Sequence, residues 1–576
     1  MTVQTTELPM SENLPTESVP MEPQARGERF FLLLAIFIGI FSGLAVVCFR
    51  IAIDYTRVKI LGPSLSPSFP RVLIAPALAG LVVAALVILV FPRVRGSGVN
   101  QTKAALYIYD GYIPFRTAIG KFICSALAIG SGQSLGPEDP SLQIGASIAS
   151  ALGRRLKLDR ERLRLIAPVG AAAGLSAAFN SPISAVLFVV EEVIGRWSAG
   201  IFGAVVLSAV SSVVVARYFL GSEPLFRIPA VQFIAPTELM AYAALGIVGA
   251  FAAVVFGKAV QILRPRMKAL PRWTQFLQPA LAGLIIGGIA CAHRPEVMGA
   301  GYEFIDQAMH SQFTWQIMGI LAGLKILTTI LSFTSGTPGG MFAPTLFIGA
   351  MLGGAVGGIE RLYFPHLVTG SIGTYALVGM GVLFAAFLRV PFTSVFMVLE
   401  VSGNYSIIIP VILANTLAYL IARNLQPVGI FDVLSRQDGM ELPSMEEQRE
   451  ERVLHVEDVM HPVNVPIVES QLTSDRALRA AEDNDASDIL VNDFPFGWCS
   501  LPIGALQALV ADGKGGQAIA TALPKTRMPQ IYPDHRVEVA LRRLGRWPFL
   551  PVTHRANPKK VVGLISLHDI TAAARE

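Results

Sequence analysis

The sequence predicts an all-α polytopic membrane protein with an internal duplication, followed by a smaller α/β domain. Of its 576 residues, 53% are hydrophobic and only 15% are charged, whereas about a quarter of the residues in a typical soluble protein are charged. Apolar runs recur from about residue 30 to about residue 423, and many have the ~20 residues that a helix needs to span a bilayer. A Gly-rich stretch of this region occurs twice, and the chain turns polar after residue 436.

These changes in composition divide the chain into segments. The first 28 residues are polar, rich in Pro and Glu, and lack the basic start of a signal peptide, so we expect a disordered cytosolic tail over residues 1–28. The remaining segments are a membrane domain at 29–436 with repeats at about 29–222 and 238–436, a linker at 437–451, and a cytosolic α/β domain at 452–576.

The net charge of +5 is less informative than the placement of the basic residues. They cluster in short loops at 93–95, 153–164 and 263–272, and such loops face the cytoplasm by the positive-inside rule. The interpretation is an integral protein of the plasma (inner) membrane with both termini cytoplasmic. Basic loops this short between spans do not favour nucleic acid as a partner. The four cysteines have neither disulfide nor metal spacing, and no metal site is expected.

Two ordered matches indicate a duplicated half of roughly 200 residues. SGQSLGPEDPSLQIGA (131–146) and SGTPGGMFAPTLFIGA (335–350) are identical at eight of sixteen positions. Further along, AAFNSPISAVLFVVEE (177–192) matches AAFLRVPFTSVFMVLEV (385–401) with one residue inserted. Chance agreement of small residues does not account for two matches in the same order at nearly the same offset.

Gly/Pro-rich breaks interrupt the apolar segments at corresponding places in the two repeats. Such breaks are typical of transporters and channels, whose sites lie where broken helices meet, because irregular backbone in a membrane must line a cavity or be buried in protein. GPEDP (136–140) and GGMFAP (339–344) would each begin a half-helix, and a third break, GSGVNQ (96–101), has no repeat partner that can be aligned. Helix N-termini favour anions, so an anion site is predicted; the relative orientation of the halves stays open.

The three breaks, in this order, resemble motifs of the CLC family of chloride channels and proton-coupled chloride transporters. GSGVNQ resembles the family's GSGIP, GPEDP its GREGP and GGMFAP its GxFxP, and the likeness covers about residues 30–436. The resemblance implies an inverted-repeat fold of tilted, partly broken helices, assembled in the lipid bilayer as a homodimer with one pore per subunit. It implies chloride and protons as the transported ions, and no cofactor for transport.

The resemblance also assigns roles to residues at the breaks. The hydroxyl of Ser97 would bind the central chloride, together with backbone amides around Met341, Phe342 and Glu138. Glu138 would be the gating glutamate, which occupies an anion position when deprotonated and swings away when protonated. Because a carboxylate and chloride compete for the same amides, proton and chloride occupancy would depend on each other.

Glu192 corresponds to the family's internal proton glutamate, and its repeat partner is Val401. Channel members usually lack an acid at this position, so Glu192 favours a proton-coupled chloride antiporter over the alternative, a passive chloride channel. The other interpretation of Glu192 is a carboxylate that simply ends a span at the cytoplasmic surface.

Two departures from the family pattern matter: Pro137 and Asp139 replace the arginine and the second glycine of GREGP, and Phe431 replaces a tyrosine. Asp139 replaces a glycine and puts a second negative charge beside the gate, where it weakens chloride binding or favours the protonated gate; alternatively, it is solvated in an outer vestibule. Phe431 stands where the family has a chloride-binding tyrosine, so one hydroxyl donor to the anion is missing. We expect weaker central chloride binding and looser coupling.

Lys121 and Lys325 lie within otherwise apolar segments. Each would either attract the anion along its pathway or simply pair with a backbone carbonyl or reach the interface. For Lys325 the second interpretation is favoured.

The C-terminal domain resembles a pair of CBS modules. HVEDVMHPVNVPIV begins like the first module, and KKVVGLISLHDITAA ends like the second. In such pairs, residues corresponding to Ser566 and Asp569 bind a ribose and phosphate, so an adenine nucleotide is a candidate ligand; packing that stabilises a dimer is the alternative. The spans contain no nucleophile–base pair or metal-ligand set, and enzymatic activity is not expected.

Overall fold

The computed structural model describes two separate compact units. Contacts divide the chain between Gln448 and Arg449, within the predicted linker. The first helix begins at Glu22 and its candidate membrane span begins at Glu28. Residues 1–21 of the predicted tail lie outside the described residues. The structure describes residues 22–62, 69–195, 199–223, 226, 236–292, 294–366, 370–440, 442, 454–524, 526–545 and 547–573.

The first unit is helical, in two successive sets followed by one further helix. The first set is α1 (Glu22–Ile60), α2 (Phe69–Ala85), α3 (Gly98–Tyr107), α4 (Phe115–Gly130), α5 (Glu138–Arg155), α6 (Arg160–Phe179), α7 (Pro182–Phe188) and α8 (Ala199–Leu220). The second set is α9 (Leu239–Ala269), α10 (Thr274–Cys291), α11 (Tyr302–Met309), α12 (Trp315–Thr334), α13 (Phe342–Tyr363), α14 (Ile372–Leu388), α15 (Pro391–Ser402) and α16 (Ile408–Leu425), after which comes α17 (Ile430–Gln437).

The two sets repeat the same packing. Helix α1 packs against α8 as α9 packs against α16, and α5 packs against α6 as α13 packs against α14. Equivalent helices also meet across the sets, with α2 on α10 and α7 on α15. The unit is therefore built from two halves with the same internal packing, as the duplicated sequence predicts.

Glycines let the central helices approach closely. A Cβ on Gly170 of α6 would lie 2.3 Å from the carbonyl oxygen of Gly145 of α5, and a Cβ on Gly379 of α14 would lie 2.3 Å from that of Gly349 of α13. Gly145 and Gly349 are aligned in the repeat. Small residues allow such backbone contact in membranes, and it buries α5, α6, α13 and α14 at the centre of the unit.

Helix length distinguishes spanning from broken segments. Among the described residues, eight helices are long and apolar enough to cross a membrane. By contrast α3 has ten residues, α7 seven and α11 eight, which is too short to cross ~30 Å of hydrocarbon. Among these, α3 begins at a break predicted from the sequence, and its first residues, Gly98 and Val99, are buried inside the protein.

The second unit contains strands and helices. Its elements are α18 (Val456–Val459), β1 (Ile467–Glu469), α19 (Ser474–Glu482), β2 (Asp488–Asn492), β3 (Trp498–Pro502), α20 (Ile503–Ala511), α21 (Val537–Leu544), β4 (Phe549–His554), β5 (Asn557–Ser566) and α22 (Leu567–Ala573). Strand β2 pairs parallel with β1 and antiparallel with β3, and β4 pairs antiparallel with β5. This is the expected α/β domain.

Candidate functional site

The three sequence breaks all become helix N-termini, as predicted. Helix α3 begins after Ser97, α5 begins at Glu138 and α13 begins at Phe342. The breaks before α5 and α13 are joined directly, because Gly136 and Gly340 each donate a backbone hydrogen bond of 2.8 Å to the other. The two repeats therefore bring their helix N-termini together at one buried point.

The structure also supplies the repeat partner that the sequence did not align for GSGVNQ. Lys121 of α4 donates to the carbonyl oxygens of Val94 and Gly96, just before α3, at 3.2 and 2.9 Å. Lys325 of α12 donates to those of Val297 and Gly299, just before α11, at 3.0 and 2.7 Å. The segment GAGY at 299–302 is thus the equivalent of GSGV at 96–99. For both lysines, the carbonyl-pairing interpretation is confirmed.

Glu138 is fully buried where three helices begin. Its Oε2 accepts a hydrogen bond from the Ala343 N–H at 3.3 Å, and its Oε1 accepts one from the hydroxyl of Tyr302, at the start of α11. Ala343 directly follows Met341 and Phe342, whose amides are predicted to bind chloride; that role stays a prediction. A carboxylate in this place holds donors that would otherwise suit a free anion.

Close approach at this point requires a glycine. A Cβ on Gly136 would lie 2.3 Å from Oε2 of Glu138 and 3.0 Å from the backbone nitrogen of Ala343. The first distance is shorter than real Cβ contacts, so a Cβ at position 136 would displace the Glu138 carboxylate from this amide.

Asp139 lies at the N-terminus of α3 rather than in solvent. It is 2% exposed, so the solvated alternative is wrong. Its Oδ1 accepts from the Ser97 hydroxyl at 2.9 Å and from the Val99 N–H at 3.1 Å, while its Oδ2 accepts from the Gly98 N–H at 3.0 Å. The hydroxyl predicted to bind chloride is therefore donated to a carboxylate of the protein.

Phe431 belongs to a buried aromatic cluster beside these N-termini. Its ring centroid lies 6.1 Å from that of Phe342 and 6.2 Å from that of Phe188. Phe342 also contacts Phe179 and Phe384. The ring thus packs against the first residue of α13, but its edge carries no hydroxyl that could donate to an anion.

Glu192 is buried in a π-helical turn, Val189–Ile194, that continues α7. Such turns are frequent at functional sites. Its Oε1 lies 2.9 Å from the Nζ of Lys103 of α3, and the same Nζ lies 3.4 Å from Oδ1 of Asp432 of α17. Glu192 is thus not a carboxylate that merely ends a span at the surface, because it is one member of a buried charge triad.

The neighbouring Glu191 has a different function in the fold. Its carboxylate accepts bonds from the backbone N–H groups of Phe392 and Thr393 at 3.3 and 2.9 Å, at the start of α15. Glu400, near the end of α15, accepts bonds from those of Ile183 and Ser184 at 3.0 and 2.7 Å, at the start of α7. Each half therefore caps a helix of the other half.

A cavity of about 510 Å³ lies beside Glu138 and is lined by its neighbour Pro137 and its partner Tyr302. Two cationic side chains, Arg50 and Arg57, and two carboxylates, Asp54 and Glu303, also line it. Arg57 is paired with Glu303 at 2.9 Å, so the lining carries no net positive charge.

In the second unit, Ser566 and Asp569, the two residues predicted to bind a nucleotide, are hydrogen-bonded to each other. Asp569 Oδ2 accepts from the hydroxyl and the N–H of Ser566 at 2.6 and 2.7 Å, and it lies 3.5 Å from Nε2 of His461. Nucleotide binding there stays a prediction.

Sequence reasoning missed Tyr302, Lys103 and Asp432. The G-x-G spacing shared by residues 96–98 and 299–301 was a usable signal for Tyr302, which follows directly. Lys103 and Asp432 carried no comparable signal, because their pairing joins residues 329 positions apart.

Known proteins resemble this chain over the membrane unit. A ClcB-like chloride channel protein of Ralstonia nicotianae is 30% identical over 427 residues, covering 72% of this chain and 99% of the relative. An H⁺/Cl⁻ exchange transporter ClcA of Vibrio campbellii is 32% identical over 412 residues, covering 69% and 87%.

Two solved structures share the fold. A slow cyanobacterial Cl⁻/H⁺ antiporter superimposes with a TM-score of 0.65 at 24% identity, over 73% of this chain and 99% of the other. A eukaryotic CLC transporter superimposes with a TM-score of 0.62 at 19% identity, over 94% and 97%. The sequence model of the voltage-gated chloride channel family matches residues 79–423. With the breaks, the duplication and the fold in agreement, the chain belongs to the voltage-gated chloride channel (CLC) family.

Proposed function

We propose that this protein is a proton-coupled chloride antiporter gated by Glu138. The observation that carries the proposal is the position of the Glu138 carboxylate, which is buried against the Ala343 N–H and the Tyr302 hydroxyl where α5, α11 and α13 begin. Relatives named as H⁺/Cl⁻ exchange transporters support the same function.

The mechanism follows from competition between two anions for one set of donors. When deprotonated, Glu138 occupies the amide and hydroxyl donors and excludes chloride. Protonation removes its charge, the helix N-termini no longer hold it, and chloride takes its place. Return of the carboxylate expels the chloride and requires loss of the proton. Proton and chloride movements are coupled because both depend on this one side chain.

Glu192 is the second proton site. Its burial beside Lys103 supports this role. A proton that arrives on Glu192 neutralises its carboxylate, so Lys103 then has only one charged partner, Asp432. Chloride binds with help from the Ser97 hydroxyl and the amides near Met341 and Phe342, once those donors are free.

A passive chloride channel is the second candidate function. Phe431 favours it, because a ring without a hydroxyl binds the central chloride less well and leaves proton and chloride movements less tightly coupled. The relative named as a chloride channel protein supports this alternative.

Reconstitution into liposomes separates the two candidates. A chloride gradient applied to vesicles with the wild-type protein drives protons uphill in an antiporter, whereas a channel moves chloride with no proton movement. Glu138→Gln, which mimics the protonated gate, abolishes proton movement and retains chloride flux. Wild-type vesicles that pass chloride without any uphill proton movement would overturn the antiporter proposal.

The assembly and the second unit complete the proposal. The protein is a homodimer, as its family resemblance implies. It lies in the plasma (inner) membrane with both termini cytoplasmic, an orientation that the basic loops support. The second unit is a CBS-like pair. An order of strand, helix, strand, strand and helix that occurs twice supports this. The first copy runs from β1 to α20; the second begins at Ile531, which pairs parallel with Val552, and ends with α22. Calorimetric titration of the full-length protein with ATP, compared with the Asp569→Ala variant, tests nucleotide binding. If neither protein releases heat, the pair does not bind ATP and serves for packing.

A further inference from the structure

We propose that Asp139 is a second resident anion of the chloride pathway. Its carboxylate occupies the N-terminus of α3 in place of a chloride, and it must leave before chloride binds to Ser97. The inference rests on the proposed function, since it names a further competitor at the same anion site. The sequence pattern of the family has glycine at this position, so this competition is specific to chains with an acid there.

The contacts of Asp139 are those of a bound anion. Its two oxygens accept three hydrogen bonds, from the Ser97 hydroxyl and from the N–H groups of Gly98 and Val99, at 2.9 to 3.1 Å. A hydroxyl and two adjacent amides at a helix N-terminus form a site for one anion. While Asp139 remains there, the Ser97 proton is not available to chloride.

Helix geometry sends the two neighbouring carboxylates to different anion positions. Glu138 and Asp139 are the first two residues of α5, and successive side chains on an α-helix diverge by about 100° because a turn holds 3.6 residues. Glu138 therefore reaches Ala343 of α13, while Asp139 reaches α3. One short segment fills two sets of anion donors with its own charges.

Asp139 adds a full charge to a helix end that Ser97 caps only in part. The Ser97 Oγ accepts from the Val99 N–H at 3.2 Å, and Asp139 accepts from the same N–H and from the Gly98 N–H. Asp139 comes from a different helix, 41 residues beyond Gly98. Because it is a charged group from outside α3, a chloride ion can take its place on these donors.

Buried acceptors beside this N-terminus indicate water that would accompany an exchanged ion. Gln143 Oε1 and Asn100 Oδ1 are buried and have no hydrogen-bond partner among the described residues. Gln143 Oε1 lies 3.2 Å from the position of a Cβ on Gly98. Such acceptors need donors, and water between them and an anion at α3 satisfies both.

Chloride binding to the purified protein tests the inference without depending on proton coupling. Asp139→Asn keeps the size of the side chain and removes its charge. We expect chloride affinity, measured by isothermal titration calorimetry, to rise about tenfold, and the melting temperature to rise more with added chloride than in wild type. Asp159→Asn is the matched control, because Asp159 also accepts from a helix N-terminus, the Arg162 N–H, but on an exposed surface. The control should behave like wild type.

The outcomes separate this inference from the proposed function. If Asp139→Asn binds chloride no better than wild type while Glu138→Gln binds it better, Asp139 is only a cap and the inference is overturned. If neither variant gains chloride affinity, the chloride site itself is wrong and the proposed function fails with it. Asp139→Ser, which is smaller and uncharged, replaces the asparagine variant if that variant does not fold, and the same gain in chloride affinity is required of it.

Discussion

Lys103 and Glu192 form a buried ion pair between the third helix and the π-helical turn, with 2.9 Å between Nζ and Oε1. The side chain of Lys103 is 2% exposed and that of Glu192 is 7% exposed. A buried pair gains from attraction between the charges but loses their hydration, so it contributes little net stability, whereas the loss of one partner is costly. The pair is therefore better explained as part of a proton site than as a stabilising device.

Replacing Lys103 tests the dependence of Glu192 on its partner. Lys103→Met leaves a buried carboxylate uncompensated, which typically costs about 3–5 kcal/mol, so we expect a lower melting temperature in detergent and loss of proton movement in vesicles. Adding Glu192→Gln removes the isolated charge and should restore the melting temperature without restoring proton movement. Lys258→Met, at an exposed position of α9, is the control. Unchanged proton movement in Lys103→Met would contradict the pairing.

Variants of the two adjacent glutamates, Glu191 and Glu192, should have different effects, one on stability and the other on proton transport. Glu192→Gln is expected to abolish proton movement while chloride flux persists, because a proton carrier is removed and the chloride donors remain. Glu191→Gln is expected to lower the melting temperature, because Glu191 caps α15 through Phe392 and Thr393, while retaining coupled transport. Parallel proton and chloride flux assays with thermal unfolding measure both. Equal effects of the two variants on proton movement would show that their roles are not distinct.

Glycine at position 136 is predicted to be essential for the contact between the Glu138 carboxylate and the Ala343 N–H. In Gly136→Ala, the new Cβ would overlap with Oε2 of Glu138, so the carboxylate is forced off the Ala343 amide. We expect faster chloride flux with weakened proton coupling, measured in the same vesicles. Gly323→Ala is the matched control in a neighbouring helix, because no atom lies within 4 Å of its new Cβ. Coupling that is as tight as in wild type would mean that the contact is dispensable.

The missing hydroxyl at position 431 predicts a gain of binding. Phe431→Tyr adds a donor near Phe342, where the central chloride is expected, and one hydrogen bond to a charged partner contributes about 1.5–3 kcal/mol, less when it replaces water. Chloride should bind up to about tenfold more tightly by calorimetry, with tighter coupling in flux assays. Phe392→Tyr, at an exposed ring, should change neither. An unchanged chloride affinity would place the anion elsewhere.

Several elements of the site were predictable because their signals are local. The Gly/Pro breaks at 96–101, 136–140 and 339–344 predicted the N-termini of α3, α5 and α13, since clusters of these residues favour turns. Single prolines such as Pro76 and Pro168 instead lie inside helices. The gating role proposed for Glu138 came from its position within a motif. In contrast, Tyr302 and Lys103 were missed, because their importance depends on partners 164 and 89 residues away.

The sequence by itself determined that the chain is a duplicated membrane protein with helix N-termini at its breaks, because hydropathy, repeats and helix-breaking residues are properties of short segments. Only the tertiary structure decided which charge meets which N-terminus. The antiparallel contact of Gly136 with Gly340 places Glu138 on Ala343 and Asp139 on Ser97. Such pairings depend on how two halves pack against each other, since a carboxylate selects its donors by distance in space and not by position along the chain.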